Sequence, residues 1–240
     1  MSLFSVNLPP LPDDVPVYRI EDTPLLKRAK NLYLFTFLLA IIGNVLLQIM
    51  LMNNNSVESF LFISYATNFV CVLSLFLTFF YLCKLSLRKI LFKLYIVVFG
   101  ISFVASVLGW FLGIDTKSIL ENPEISSSSS FQIYMFLVLI MLVIDYVLMF
   151  KIAKEQSFIL HQEGFLKGAK IILWSFAVMG LSVFLLFWGL ASASNGITLI
   201  ASVIVIAASI ATLVGCAYYL IAVFKINLII AYGEQTPNPL

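Results

Sequence analysis

The chain has 240 residues, of which 62% are hydrophobic and 11% charged, with a net charge of +2. A soluble domain carries about 25% charged residues, so this composition excludes a soluble globular protein. The small net charge gives no ground for a nucleic-acid partner, and no polar stretch is long enough for a second, soluble domain.

Residues 1–23 hold Pro9, Pro10, Pro12 and Pro16 among Asp13, Asp14, Glu21 and Asp22. Proline fixes φ and withholds a donor, so an extended or irregular cytoplasmic tail is expected. It is either loose or a strand-like arm that docks on a partner protein. It has no apolar h-region, so no cleavable signal is expected. Thr23 and Pro24 then read as N-cap and first helical residue.

A membrane domain over 24–225 follows. About 20 apolar residues rising ~1.5 Å each cross a bilayer core. Six stretches meet that test: Leu32–Met52, Val57–Cys83, Leu94–Ile114, Phe131–Ala153, Ala169–Leu190 and Gly196–Val223. The expected fold is all-α, a polytopic membrane protein of six transmembrane helices. Between the fourth and fifth spans, Phe158, Ile159, Phe165 and Leu166 fall on one helical face, which suggests a segment lying on the membrane surface. Residues 226–240 form a C-terminal tail.

Charge sets the orientation. Of the 14 lysines and arginines, 13 fall in the N-terminal segment, the second and fourth connections and the C-terminal end, and only Lys117 falls on the other side. Positive residues stay inside, so both termini are expected in the cytoplasm.

Few residues within the spans carry chemistry. Asp145 is the one acid set well inside an apolar run, six residues before Lys151. Intramembrane charges pair or mark a pathway. Asp145 is therefore either an ion-pair partner of Lys84, Lys93 or Lys170, or a protonatable, cation-binding or subunit-anchoring group. Asn44 and Gln48 share a face of the first span, and Asn68 lies at matching depth on the second. The short turn between these spans makes interhelical amide bonds plausible, as structural glue or as a polar site. Ala105, Gly109 and Gly113 form one small-residue stripe, and Ala207, Ala211 and Gly215 form another; both are candidates for close helix packing.

Cys71, Cys83 and Cys216 fit no disulfide framework or metal motif and read as reduced core residues. The single histidine, His161, rules out bis-histidine haem ligation within the chain. There is no phosphate loop, HExxH or pair of intramembrane aspartates. No cofactor or metal is expected, and the chain does not read as an enzyme. Two functions remain. One is a non-catalytic integral membrane subunit that assembles with partner subunits in the lipid bilayer. The other is a transporter, channel or permease subunit with a polar path near Asp145 and Asn44/Asn68. The excess of lysine over arginine, with much Ile, Phe and Asn, hints at an AT-rich genome. It suggests a bacterial inner membrane, with an organellar membrane as the alternative.

Overall fold

The structure, a computed structural model, describes residues 6–52, 57–112, 114, 129–191 and 195–233. Six helices account for most of them: α1 Pro24–Met52, α2 Val57–Ser86, α3 Ile90–Phe111, α4 Ser129–Leu160, α5 Glu163–Ala191 and α6 Asn195–Phe224. All six are long and apolar enough to cross a bilayer. The chain is an all-α polytopic membrane protein.

The helices form a ring in chain order. Each packs on its sequence neighbours, and α1 closes the ring on α6. Three hairpins, α1–α2, α3–α4 and α5–α6, hold together along their length. A Cβ added to Gly43 of α1 would lie 2.5 Å from Thr67 Cγ2 of α2, and one on Gly109 of α3 would lie 3.0 Å from the Tyr134 hydroxyl of α4. Of the stripe on the third span, Gly109 therefore packs within the chain. Ala105 is only half-buried, and Gly113 lies outside the described residues. The hairpins join each other chiefly at one end, and α4 also meets α5 further along through Tyr146 and Phe176. The buried apolar cluster is built from the first turns of α1, α3 and α5 and the last turns of α2, α4 and α6.

The tightest pair is α5–α6. Gly168, Ser175 and Ser182 on α5 face Ala201, Ala208, Gly215 and Ala222 on α6, and all seven are buried. Both lines step by seven residues, the spacing that keeps one seam facing a partner helix. The backbones nearly touch: a Cβ on Gly168 would lie 2.6 Å from the Gly215 carbonyl oxygen. Ser175 and Ser182 satisfy their hydroxyls one turn back, on the carbonyls of Ile171 (2.8 Å) and Val178 (2.7 Å). This corrects the expected stripe. Steps of four overshoot a full turn, so Ala207 is exposed and Ala211 half-buried, and only Gly215 of that set lies in the seam.

The helices overrun their apolar spans at the packed end. α4 continues to Leu160 and turns at His161, whose φ is 50°; α5 starts at Glu163. Phe158, Ile159, Phe165 and Leu166 are buried in the core. The face expected to lie on the membrane surface is thus packed against protein instead.

Two short strands cap the same end. β1 (Val17–Arg19) pairs antiparallel with β2 (Leu228–Ile230), Tyr18 opposite Ile229. Ala231 N–H donates to the Pro16 carbonyl (2.9 Å), and Ile20 N–H donates to that of Asn227 (2.8 Å). The arm before α1 is thus docked on the chain's own C-terminal segment, and both lie on one side of the ring. Lys30 reaches across from α1 and caps α6, its Nζ donating to the carbonyls of Phe224 (2.6 Å) and Ile226 (2.9 Å), where the helix dipole favours a cation.

Candidate functional site

The ring encloses a cavity of about 260 Å³ near its packed end, and every helix contributes to the wall. Tyr33, Phe37 and Ala40 come from α1, Leu75 and Phe79 from α2, Tyr95 from α3, Met149 and Ile152 from α4, Ile172 from α5, and Cys216 and Tyr219 from α6. These residues define which face of each helix looks into the ring.

Residues 4, 7 or 11 positions apart share a helix face. On that rule a set of polar residues from five spans falls on the inward faces, further from the packed end, while Gln132, near the other end of α4, does not. Asn44 stands four residues beyond Ala40, with Gln48 a turn beyond that. Asn68 and Ser64 stand seven and 11 residues before Leu75. Ser102 and Ser106 follow Tyr95 by seven and 11. Asp145 precedes Met149 by four and Ile152 by seven. Thr212 and Ser209 precede Cys216 by four and seven. The opposite faces carry exposed apolar side chains such as Phe35, Ile42, Phe69, Leu73, Ile140 and Val203. Asn44, Gln48, Asn68, Ser102, Ser106 and Ser209 are nevertheless exposed. The ring interior is therefore open at their level, although Tyr146 of α4 still meets Phe176 of α5 there, ring centres 4.8 Å apart.

The expected amide bridge does not form. Asn44 donates back to the Ala40 carbonyl (2.8 Å), and neither Gln48 nor Asn68 makes a hydrogen bond among the described residues. The α1–α2 contact at that depth is Gly43 against Thr67, next to Asn44 and Asn68 in sequence but about 100° round each helix. Asp145 corrects a second expectation. It forms no ion pair with Lys84, Lys93, Lys170 or any other described residue, and its Oδ1 is buried without a hydrogen-bond partner.

Below the cavity the interior is shut. Gln156 of α4 sits between Tyr33 and Tyr219; its Nε2 donates to the Tyr33 hydroxyl (2.6 Å), and its Oε1 accepts from Tyr219. With the Tyr219 proton so used, Tyr33 donates to Tyr219 across 3.1 Å, which closes a ring of three hydrogen bonds. Phe165 lies parallel to Tyr33 at 6.3 Å and edge-on to Tyr219 at 5.0 Å, sealing the cluster.

A second layer lies beneath. Arg88, in the connection after α2, is 1% exposed and bonds Glu155 of α4 through Nε and, at 3.3 Å, through Nη2 to Oε2. Its Nη1 donates to the Gly233 carbonyl (3.1 Å), and its guanidinium stands 5.3 Å from the centre of the Phe158 ring. Tyr232 stacks on Phe158, its ring 4.0 Å from that of Phe158 and nearly parallel to it. Burial pushes the Tyr232 phenol up, against a smaller downward pull from Arg88. Sequence reasoning missed Gln156, Tyr33, Tyr219 and the Arg88–Glu155 pair. The one local signal was the Glu155-Gln156 dipeptide beside Phe158 and Ile159.

No protein family matches the chain, and no curated protein or solved structure is similar to it.

Proposed function

We propose that the chain is a membrane transport protein, a permease or channel-type subunit, with its solute path along the ring interior. The observation that carries this reading is the segregation of Asn44, Gln48, Asn68, Ser102, Ser106, Asp145 and Ser209 onto inward faces while the opposite faces stay largely apolar. Amides and carboxylates are costly in hydrocarbon, and they occur in spans where they line protein or water-filled space. The interior is then open on one side and closed on the other, by the Tyr33–Gln156–Tyr219 ring and the Arg88–Glu155 layer. The basic residues cluster at the closed end, so the positive-inside rule makes this the cytoplasmic side, with both termini there. A bacterial inner membrane remains the proposed location. The alternative, a non-catalytic subunit of a larger complex, has less support, because the polar side chains look into the ring and not toward a neighbour.

Cysteine accessibility tests the path without knowing the solute. In a chain cleared of Cys71, Cys83 and Cys216, Asn68→Cys should react with a membrane-impermeant thiol reagent added outside. Phe69→Cys, on the lipid face, and Phe165→Cys, in the seal beneath the cavity, should stay unmodified. An Asn68→Cys that is inert from outside, or no more reactive than Phe69→Cys, would sink the reading.

A further inference from the structure

We infer that the cavity and Asp145 together form a binding site for a small lipophilic organic cation. The inference rests on the transport reading for its purpose, though not for its geometry. Five aromatic rings line the cavity: Tyr33, Phe37, Phe79, Tyr95 and Tyr219. Their hydroxyl protons are spent. Tyr95 donates to the Val72 carbonyl (2.9 Å), and Tyr33 and Tyr219 are committed to the closed ring with Gln156. Thr36 donates to its own helix at the Leu32 carbonyl (2.9 Å), so the walls offer ring faces and, apart from the weak Cys216 thiol, no free donor, a poor match for a sugar or an anion. Ring faces attract cations within about 6 Å, more strongly where water is excluded.

The compensating charge stands one turn outward. Asp145 precedes the cavity residue Met149 by one helical turn on the same face. Its Oδ1 is withdrawn from solvent without a partner, and a carboxylate so placed lacks a donor or a positive charge. Outward of the cavity, the described inward faces carry no lysine or arginine to supply one. A molecule with an apolar, ring-sized body and one permanent positive charge would satisfy both parts. Its body would lie among the rings and its charge near Asp145.

The probe is radiolabelled phenyltrimethylammonium, measured against the full-length chain in lipid nanodiscs with empty nanodiscs as blank. Saturable binding is expected, weakened ~tenfold or more by Asp145→Asn and largely restored by Asp145→Glu. Ala40→Trp, which fills the cavity and leaves Asp145 in place, should abolish it. No saturable binding to the wild-type chain would overturn the inference; that is also the outcome if Asp145 exchanges only a proton. Binding unchanged in Asp145→Asn or in Ala40→Trp would overturn it as well. Uptake of the same cation into proteoliposomes separates the two readings. Binding without uptake leaves the site standing and counts against transport. An accessible Asn68→Cys without cation binding leaves the path standing and removes the site.

Discussion

Arg88 and Glu155 show how a single pair ties three parts of the chain together. The guanidinium joins the connection after α2, the end of α4 and the Gly233 carbonyl. Breaking a buried pair by removing one partner strands the other charge and costs about 3–5 kcal/mol, whereas replacing both by apolar residues is often near neutral. Glu155→Ala should therefore lower the unfolding temperature of the purified chain sharply, and Arg88→Met with Glu155→Leu should recover most of the loss. Equal losses in the single and double variants would contradict this account. Little of the pair was legible beforehand. Arg88 showed its sign, which served the orientation argument, but not its depth. Glu155 sits beside Lys154 and reads locally as a solvated interfacial residue, and its partner is 67 positions away. Asp145 was legible because an acid inside an apolar run is a local anomaly. Its missing partner was not, since that depends on which helices surround it.

At the scale of elements, the α5–α6 hairpin depends on backbone approach. Gly168→Ala should destabilise the chain by roughly 1–3 kcal/mol, as overpacking does. Gly100→Ala on α3 is the control. Nothing lies within 4 Å of a Cβ at that position, so it should be neutral or gain up to ~1 kcal/mol of helix propensity. Denaturation in detergent, compared between the two, decides the matter; equal stabilities would remove the seam from the argument. Span number and approximate ends were readable from hydropathy alone. The seam was given the wrong spacing, with only Gly215 placed in it, because sequence shows small residues at either spacing and only the partner helix selects the seven-residue one. The fate of residues 154–166 was misjudged for a similar reason: an amphipathic face does not say whether lipid or protein covers it. The inward polar faces were visible only as isolated residues until the cavity gave each helix a rotation.

For the whole molecule, the β1–β2 ladder places the N-terminal arm and the C-terminal segment on one side, and the proposed orientation, from lysine and arginine placement, puts that side in the cytoplasm. In the cysteine-cleared chain in intact cells, Asn54→Cys should label from outside, and Gln162→Cys only after the membrane is permeabilised. The reverse pattern would invert the orientation and turn the proposed opening toward the cytoplasm.

The ladder also sets an order in time. All six helices are synthesised between β1 and β2. At ~5–20 residues per second the arm waits on the order of ten to forty seconds for its partner strand. During that interval it is an unpaired edge, with Val17 and Tyr18 ready to add to any strand that comes near. Pro9, Pro10, Pro12 and Pro16, together with Asp13 and Asp14, are the residue types that keep such an edge from pairing wrongly. A composition that suggested either a loose tail or a docking arm is thus also one suited to keeping the arm unpaired until the ring closes and its strand arrives.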